Sequence, residues 1–168
     1  MCLENDKAMH LAEEIVTVLA TNKWKLTTAE SCTGGMIAST LINVPGISDY
    51  YDEGYITYAN HAKEKLLSVD SKVLKEKGAV SREVAEMMAR GAAKVSGADA
   101  AIAVTGIAGP GGGTKEKPVG LVYIGCYLQG MILVTENHFT GSRLEIRQQT
   151  TQAALKLMYD CFMNRKEG

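Results

Sequence analysis

The sequence predicts an α/β fold, because helical and strand-like segments alternate along the chain. A long amphipathic segment after Ser81 leads into the apolar run 100–104, which has the length of a buried strand. A helix followed by such a strand is typical of α/β layering. The chain has 168 residues, 46% of them hydrophobic and 22% charged, which suffices for one domain with a sizeable core. We therefore expect a single domain over residues 1–168.

The charge and the cysteine content of the chain indicate which binding partners and which cellular compartment to expect. A net charge of −1, with no basic run longer than two residues, disfavours nucleic acid as a partner. The apolar stretches are far shorter than the roughly 20 residues of a membrane-spanning helix, so we expect no membrane association. Four cysteines without a CxxC pair and no apparent secretory signal indicate the reducing cytoplasm. No HExxH motif or acidic ligand cluster is present, so no metal or other cofactor is expected.

The first helix is predicted over residues 8–19, where apolar side chains recur at helical spacing and Asn5 or Asp6 can cap the start. Residues 24–28 then have the composition of a short strand. The chain next enters a corner rich in small and polar residues. This order predicts a strand that runs directly into a second helix.

The second helix is predicted over Met36–Ile42 and is ended by a Pro-Gly pair. Residues 52–59 are rich in Tyr and Ile with rough alternation, which predicts a second strand. Asn60 can cap the helix that follows. Lys63 then lies in the first turn of that helix.

The second half of the chain combines a long helix with a β-hairpin. Ser81 can cap the helix, and Gly97 ends it. Segments 119–128 and 131–139 flank a Gln-Gly pair, which fits a hairpin. Ser142 and Glu145 have the spacing of a capping box that opens a last helix to about residue 163.

The corner after the first predicted strand is the main functional candidate. A serine at a strand-to-helix corner can act as a nucleophile beside the unpaired N–H groups of the helix start, which stabilise an oxyanion. Serine is also a favoured N-cap, and its cysteine neighbour is a competing nucleophile that we expect to pack inward. The glutamate before the serine has three possible roles: it binds a substrate hydroxyl, orients a neighbouring side chain, or stabilises the positive end of the helix through its charge. The residues concerned are Glu30, Ser31, Cys32, Thr33, Gly34 and Gly35.

A serine nucleophile needs a base, and four side chains are candidates. His10 and His138 fall within a predicted helix and strand, where a solvated or packed position explains them, and His61 is the third histidine. Lys63 lies one turn beyond the second strand and can reach the same cleft, although most helical lysines are merely solvated. Burial would leave its amine neutral and able to accept the Ser31 proton.

A glycine-rich loop over residues 106–114 is a second functional candidate, since five glycines and a proline favour turns and close backbone approach to a ligand. It is no P-loop, because Lys115 follows threonine rather than glycine. A looser phosphate cradle of N–H groups stays open. Arg143 and Arg147, one helical turn apart, either add bidentate phosphate contacts or form a solvated pair.

Several motifs together resemble those of the CinA C-terminal domain family. The resemblance covers most of the chain and implies a three-layer α/β/α fold with a mixed sheet. Members with an assigned activity are PncC-type nicotinamide mononucleotide deamidases, which implies hydrolysis of that nucleotide to nicotinic acid mononucleotide and ammonia. The motifs are Ala29-Glu30-Ser31-Cys32-Thr33-Gly34-Gly35, Tyr58-Ala59-Asn60-His61-Ala62-Lys63, Gly78-Ala79-Val80-Ser81, Thr105-Gly106-Ile107-Ala108-Gly109-Pro110-Gly111-Gly112 and Lys117-Pro118-Val119-Gly120.

The resemblance also implies roles for individual residues. Ser31 would be the nucleophile and Lys63 its base, in a site without metal, with Tyr58 and Asn60 supporting the base. N–H groups from Thr33 to Gly35 would hold the oxyanion. The resemblance is weakest at the implied phosphate contacts, since serine stands at position 142 where the family often has aspartate. Implied substrate-binding residues are Glu30, Thr33, Gly34, Gly35, Asn60, Thr105, Gly106, Gly109, Gly111, Gly112, Arg143 and Arg147.

These observations lead to one main functional hypothesis and two alternatives. The main hypothesis is an amidohydrolase of pyridine nucleotide salvage, with a small-molecule nucleotide as its substrate. One alternative is a nucleotide-binding regulatory module of the same fold without turnover. The other is an oligomeric scaffold with an incidental cleft, which the cost of ordering five loop glycines disfavours. Self-association into a homo-oligomer is compatible with a small metabolic enzyme.

Overall fold

The computed structural model describes residues 2–165, with side chains from Asp6 onward, and this part of the chain forms six α-helices and five β-strands. A short 3-10 turn, Ile47–Asp49, joins the second helix to the second strand. The elements in chain order are α1 Cys2–Asn22, β1 Leu26–Glu30, α2 Met36–Ile42, β2 Gly54–Ile56, α3 Asn60–Leu67, α4 Ser71–Lys77, α5 Arg82–Ser96, β3 Ala100–Gly106, β4 Leu121–Leu128, β5 Met131–His138 and α6 Arg143–Arg165.

The five strands form one mixed sheet in the order β2-β1-β3-β4-β5. Strands β2, β1 and β3 run parallel, and the β4–β5 hairpin continues the sheet antiparallel. Glu30 at the end of β1 lies between Ile56 of β2 and Val104 of β3. Because parallel strands end at the same edge, the segments that follow β1, β2 and β3 meet there, as in other open α/β sheets.

Helices cover both faces of the sheet, so the predicted three-layer α/β/α fold is confirmed. Successive side chains of β3 point to opposite faces. Ile102 and Val104 belong to the apolar cluster that includes α1, α2 and α6, whereas Ala101 and Ala103 belong to the cluster under α3, α4 and α5. α5 packs closely on the sheet at Gly125, where a Cβ would lie 2.7 Å from the Ala85 carbonyl oxygen.

The helix ends follow the predicted capping chemistry in α5 and α6. The Ser81 hydroxyl accepts a hydrogen bond from the N–H of Val84 at 3.3 Å, and Gly97 ends α5 in the left-handed conformation. At α6, the Glu145 carboxylate accepts from the Ser142 N–H at 2.7 Å, and the Ser142 hydroxyl accepts from the Glu145 N–H at 3.4 Å. These reciprocal bonds confirm the capping box.

Two predicted caps are wrong. α1 begins at Cys2, so Asn5 and Asp6 lie inside the helix rather than before it. α3 begins at Asn60 itself, and the capping position is Ala59, whose side chain makes no capping hydrogen bond. Both helices therefore begin earlier in the chain than the predicted cap residues imply.

Two strand boundaries differ from the prediction, and one helix was missed. β1 covers Leu26–Glu30 instead of residues 24–28, so the next residue is the first beyond the strand. β2 is only Gly54–Ile56, shorter than the predicted 52–59. Helix α4 was not predicted, because its seven residues are mostly polar; the Asp70 side chain caps it by accepting from the Lys72 N–H at 2.7 Å. None of the helices within residues 2–165 is both long and apolar enough to cross a membrane.

Candidate active site

A cavity of about 180 Å³ lies at the edge where β1, β2 and β3 end. Ser31 follows β1 directly, and Thr105 and Gly106 close β3. These residues and three charged or aromatic side chains from other elements converge on the cavity. The predicted site residues that line it are Ser31, Tyr58, Lys63, Thr105, Gly106 and Arg143.

The Lys63 amine contacts the Ser31 hydroxyl. Lys63 Nζ donates to Ser31 Oγ at 3.0 Å and to the carbonyl oxygen of Thr57 at 2.6 Å. Lys63 is 1% exposed, although it lies in the first turn of a surface helix. Leu67, one turn later, is buried on the same helix face, so the packing of α3 directs the lysine inward.

Burial changes the acid–base properties of this amine. The low-dielectric surroundings disfavour the ammonium and lower the pKa of Lys63 from 10.5 to about 8. Within the described residues, no carboxylate forms an ion pair with Lys63. The lysine can therefore lose its proton close to neutral pH, as a general base must.

Cys32 packs inward, as predicted. It is 6% exposed and belongs to the apolar cluster shared by α1, α2 and α6. Burial raises the pKa of the Cys32 thiol to about 11, so the thiol stays protonated at neutral pH. Cys32 also borders the cavity, but of the two adjacent nucleophile candidates only Ser31 is hydrogen-bonded to Lys63 within the described residues.

Glu30 is committed to helix α2 and does not line the cavity, so the structure corrects its predicted role as a substrate ligand. Its carboxylate, 1% exposed, accepts hydrogen bonds from the N–H groups of Gly35 at 2.9 Å, Ile37 at 3.2 Å and Ala38 at 2.8 Å. A negative charge at this position neutralises the positive end of the helix. The helix-end interpretation of Glu30 is therefore the better one.

This arrangement changes which N–H groups are free to hold an oxyanion. Gly35 donates to Glu30, and Gly34 donates to the Ser31 carbonyl oxygen at 3.2 Å. The Ser31 N–H is used by the Val104 carbonyl oxygen at 3.1 Å. In residues 2–165, the Thr33 N–H has no backbone acceptor, and the Cys32 N–H has none outside its own residue. The candidate oxyanion donors are thus Cys32 and Thr33, and the first of them follows the nucleophile directly, as in nucleophile elbows.

Arg143 connects the mouth of the cavity to the glycine-rich loop. Its guanidinium donates to the Gly109 carbonyl oxygen at 2.8 Å and to the Tyr58 hydroxyl at 2.9 Å. Tyr58 is 63% exposed and makes no hydrogen bond to Lys63. The predicted support of the base by Tyr58 is therefore absent, and the tyrosine belongs to the mouth of the site. Asn60 is exposed and lies outside the cavity lining.

Arg147 points to the loop that follows Ser31, and not into the cavity. Its Nε donates to the carbonyl oxygen of Cys32 at 3.1 Å, and one terminal nitrogen donates to that of Thr33 at 2.7 Å. Sequence reasoning paired Arg147 with Arg143 as phosphate ligands. The structure separates the two arginines, because only Arg143 lines the cavity.

The glycine-rich loop contributes mostly shape. At Gly106 a Cβ would lie 2.5 Å from the Val122 side chain, and at Gly109 it would lie 2.6 Å from the Val119 side chain. Both glycines are needed for this packing. Gly111 and Gly112 lie farther out on the exposed part of the loop, away from the cavity lining.

Thr105 and Lys117 hold the neighbouring segment 77–80 against the site. The Thr105 hydroxyl donates to the Ala79 carbonyl oxygen at 2.7 Å. Lys117 Nζ donates to the carbonyl oxygens of Val80, at 2.7 Å, and Lys77. Ala79 and Val80 line the cavity, so both contacts fix its wall. Lys117 was not among the predicted site residues, although it lies in one of the family motifs.

Comparisons with known proteins agree with this geometry. The family model of the CinA C-terminal domain matches residues 8–162. A competence-damage inducible protein of Caldicellulosiruptor bescii is 51% identical over 148 residues, which cover 88% of this chain and 36% of that protein. One from Clostridium novyi is 49% identical over 151 residues. The chain spans about a third of the length of the curated relatives it matches.

Solved structures share the whole fold. The competence/damage inducible protein CihA from Agrobacterium tumefaciens superposes with a TM-score of 0.89 at 44% identity, covering 90% of this chain and 93% of that chain. A CinA superfamily protein from Escherichia coli gives a TM-score of 0.87 at 35% identity, covering 90% and 89%. With a family model matched over most of its length and relatives about half identical, the chain belongs to the CinA C-terminal domain family.

Proposed function

We propose that this chain hydrolyses the carboxamide of nicotinamide mononucleotide to nicotinic acid mononucleotide and ammonia. The observation that carries the proposal is the 3.0 Å contact between the buried Lys63 amine and the Ser31 hydroxyl. A serine paired with a desolvated amine is a recognised nucleophile–base unit for acyl transfer. The resemblance to the family's nicotinamide mononucleotide deamidases supplies the substrate.

The first half-reaction forms an ester on Ser31. Neutral Lys63 takes the hydroxyl proton as Oγ attacks the carboxamide carbon, and the carbonyl oxygen becomes an oxyanion. The N–H groups of Cys32 and Thr33 stabilise that oxyanion, each well-placed donor contributing about 3 kcal/mol. The carbon–nitrogen bond then breaks, and Lys63 returns the proton to the leaving nitrogen, which departs as ammonia.

The second half-reaction releases the acid. Lys63, neutral again, takes a proton from water as the water oxygen attacks the ester carbon of the acyl enzyme. The tetrahedral intermediate collapses, and the proton passes from Lys63 to Ser31 Oγ. Nicotinic acid mononucleotide leaves, and the serine and lysine return to their starting states.

The dimensions of the cavity suit this substrate. About 180 Å³ is below the size of pockets that enclose drug-sized ligands, so it accommodates a pyridine carboxamide but not a whole nucleotide. The ribose and phosphate would lie at the mouth, beside the exposed Tyr58 ring and Arg143. A cationic guanidinium at that position favours a phosphorylated substrate over the free amide.

The experiment that tests the proposal follows ammonia release from nicotinamide mononucleotide. We expect turnover by the wild-type chain and at least a thousandfold loss in Ser31→Ala and in Lys63→Met, since the two groups act as a unit. Arg90→Ala, which removes a surface ion pair with Glu86 on α5, is the control that should keep full activity. Tight binding by calorimetry without ammonia release would contradict the proposal and select the regulatory-module alternative.

A further inference from the structure

Arg147 makes two contacts that the reaction as described does not use. The residue lies in α6, more than 100 positions after the nucleophile loop, and its guanidinium contacts the carbonyl oxygens of two successive residues, Cys32 and Thr33. The planar guanidinium fixes the relative direction of its two donors, whereas the donors of a lysine amine rotate about its last bond. The contact therefore defines an orientation as well as a position.

The orientation matters because a peptide unit is planar and trans. In such a unit the C=O and N–H bonds point in opposite directions. When Arg147 holds the Cys32 carbonyl, it also fixes the direction of the Thr33 N–H, which belongs to the same peptide unit. That N–H has no acceptor in the described part of the chain. Arg147 thus fixes the orientation of the Thr33 N–H, one of the two candidate oxyanion donors, by binding the carbonyl on the opposite side of the same peptide unit.

The opposite flank of the loop is fixed independently. The Glu30 carboxylate binds the N–H groups at the start of α2, beginning with Gly35. Gly34, between the two attachments, has a φ of +59°, and a Cβ there would lie 3.6 Å from an Arg147 nitrogen. The loop is therefore held by an anion at one end and a cation at the other.

We infer that Arg147 is a positioning residue for the oxyanion site, which keeps the Cys32–Thr33 peptide unit turned toward the reacting oxygen, and that it is not a ligand of the substrate phosphate. This inference rests on the proposed amidase function. The two arginines of α6 then have different roles. Arg143 faces the substrate at the mouth of the cavity, and Arg147 shapes the backbone that faces the transition state.

The kinetic test separates positioning from phosphate binding. In Arg147→Ala we expect kcat to fall about 100-fold, the effect of losing an aligned oxyanion donor, with KM for nicotinamide mononucleotide within about threefold of wild type. The preference for the nucleotide over nicotinamide riboside, which lacks the phosphate, should not change. Added guanidinium should restore part of kcat in Arg147→Ala. A raised KM together with loss of the nucleotide preference would overturn the inference.

Arg147→Lys tests the need for a two-point contact. It keeps the charge and much of the packing, so we expect it to fold, with a thermal midpoint close to that of wild type, yet to remain strongly impaired in kcat. Wild-type kcat in Arg147→Lys would overturn the inference. Arg90→Ala serves again as the matched control for loss of an arginine away from the site.

A second readout does not depend on the substrate. A fluorophosphonate forms a covalent bond from Ser31 Oγ to phosphorus with loss of fluoride, and its phosphoryl oxygen occupies the oxyanion position. We expect Arg147→Ala to react more slowly than wild type by a factor similar to that in kcat. If wild type reacts with the reagent but releases no ammonia, the proposed substrate fails while this comparison still stands. Equal reaction rates in wild type and Arg147→Ala would overturn the inference alone.

Discussion

Lys63 Nζ lies 3.0 Å from Ser31 Oγ, although 32 positions separate the two residues in the chain. Ser31 follows a central strand of the sheet, and Lys63 belongs to a helix that covers one sheet face. Their contact therefore depends on the packing of α3 against α5, which itself lies on β1 and β3. Because the lysine is buried without a carboxylate partner in the described residues, its burial both lowers its pKa and reduces the stability of the fold at neutral pH.

The activity should depend on pH through Lys63. The neutral amine is the active form, and burial lowers the pKa of Lys63 to about 8. We expect kcat/KM for nicotinamide mononucleotide to fall about tenfold per unit below pH 8 and to level off above it. A pH–rate profile measures this, with the Arg90→Ala variant as control. A profile flat from pH 6 to 9 would exclude Lys63 as the base.

The lysine should also reduce stability. In the unfolded chain its pKa returns to about 10.4, so between about pH 8 and 10.4 the unfolded state binds more protons, and stability rises with pH in that window. Below pH 8 the buried charge costs about 3 kcal/mol. Lys63→Met removes that cost but leaves the Thr57 carbonyl without its donor, which costs about 1–2 kcal/mol.

We therefore expect Lys63→Met to be inactive but more stable than wild type by about 1–2 kcal/mol at pH 7. Urea unfolding at pH 7 and pH 10 measures the difference, which should shrink at the higher pH as the wild-type amine becomes neutral. A destabilised Lys63→Met at pH 7 would contradict this account of the buried charge.

Glu30 should be important for stability rather than for binding. Glu30→Gln replaces one acceptor oxygen with an amide that cannot accept from the N–H groups of α2, so we expect a loss of about 2–3 kcal/mol. Urea unfolding provides the measurement. Glu86→Gln, on the exposed face of α5, is the matched control and should change stability by less than about 0.5 kcal/mol. Equal effects in the two variants would refute the assigned role.

The cysteines should differ in their reactivity toward thiol reagents. The neighbouring Cys126 thiol lowers the pKa of Cys161, and Cys161 is partly exposed. The Cys32 thiol is buried, with a pKa of about 11. In a Cys2→Ser background, we expect a disulfide reagent to modify Cys161 first and Cys32 only after unfolding. Peptide mapping measures the order, and early modification of Cys32 would contradict its inward position.

Local patterns placed Ser31 at a strand-to-helix corner and Lys63 in the first turn of a helix, and β1 and β3 end next to the predicted loops. These patterns left the choice of base open, and the family resemblance pointed to Lys63. The partners of the loop could not be predicted. A shift of one residue in the turn decides whether Gly34, Gly35 or Thr33 has a free N–H, and propensity does not resolve one residue.

Long-range contacts account for the other differences. Arg147 reaches the carbonyl oxygens of Cys32 and Thr33 from α6, more than 100 positions away, and helical spacing alone paired it with Arg143. Only the packing of α6 beside α2 separates the two arginines. Helix α4 was missed because it has two apolar residues, Val73 and Leu74, too few to produce a periodic pattern.

Each layer of the fold contributes one part of the site: the sheet ends at Ser31, the helices on one face supply Lys63, and α6 on the other face supplies Arg147. No fragment that lacks one of the layers carries the complete set. The proposed activity should therefore report the integrity of the entire domain, and partial melting of the last helix would abolish it while the serine and the amine remain in contact.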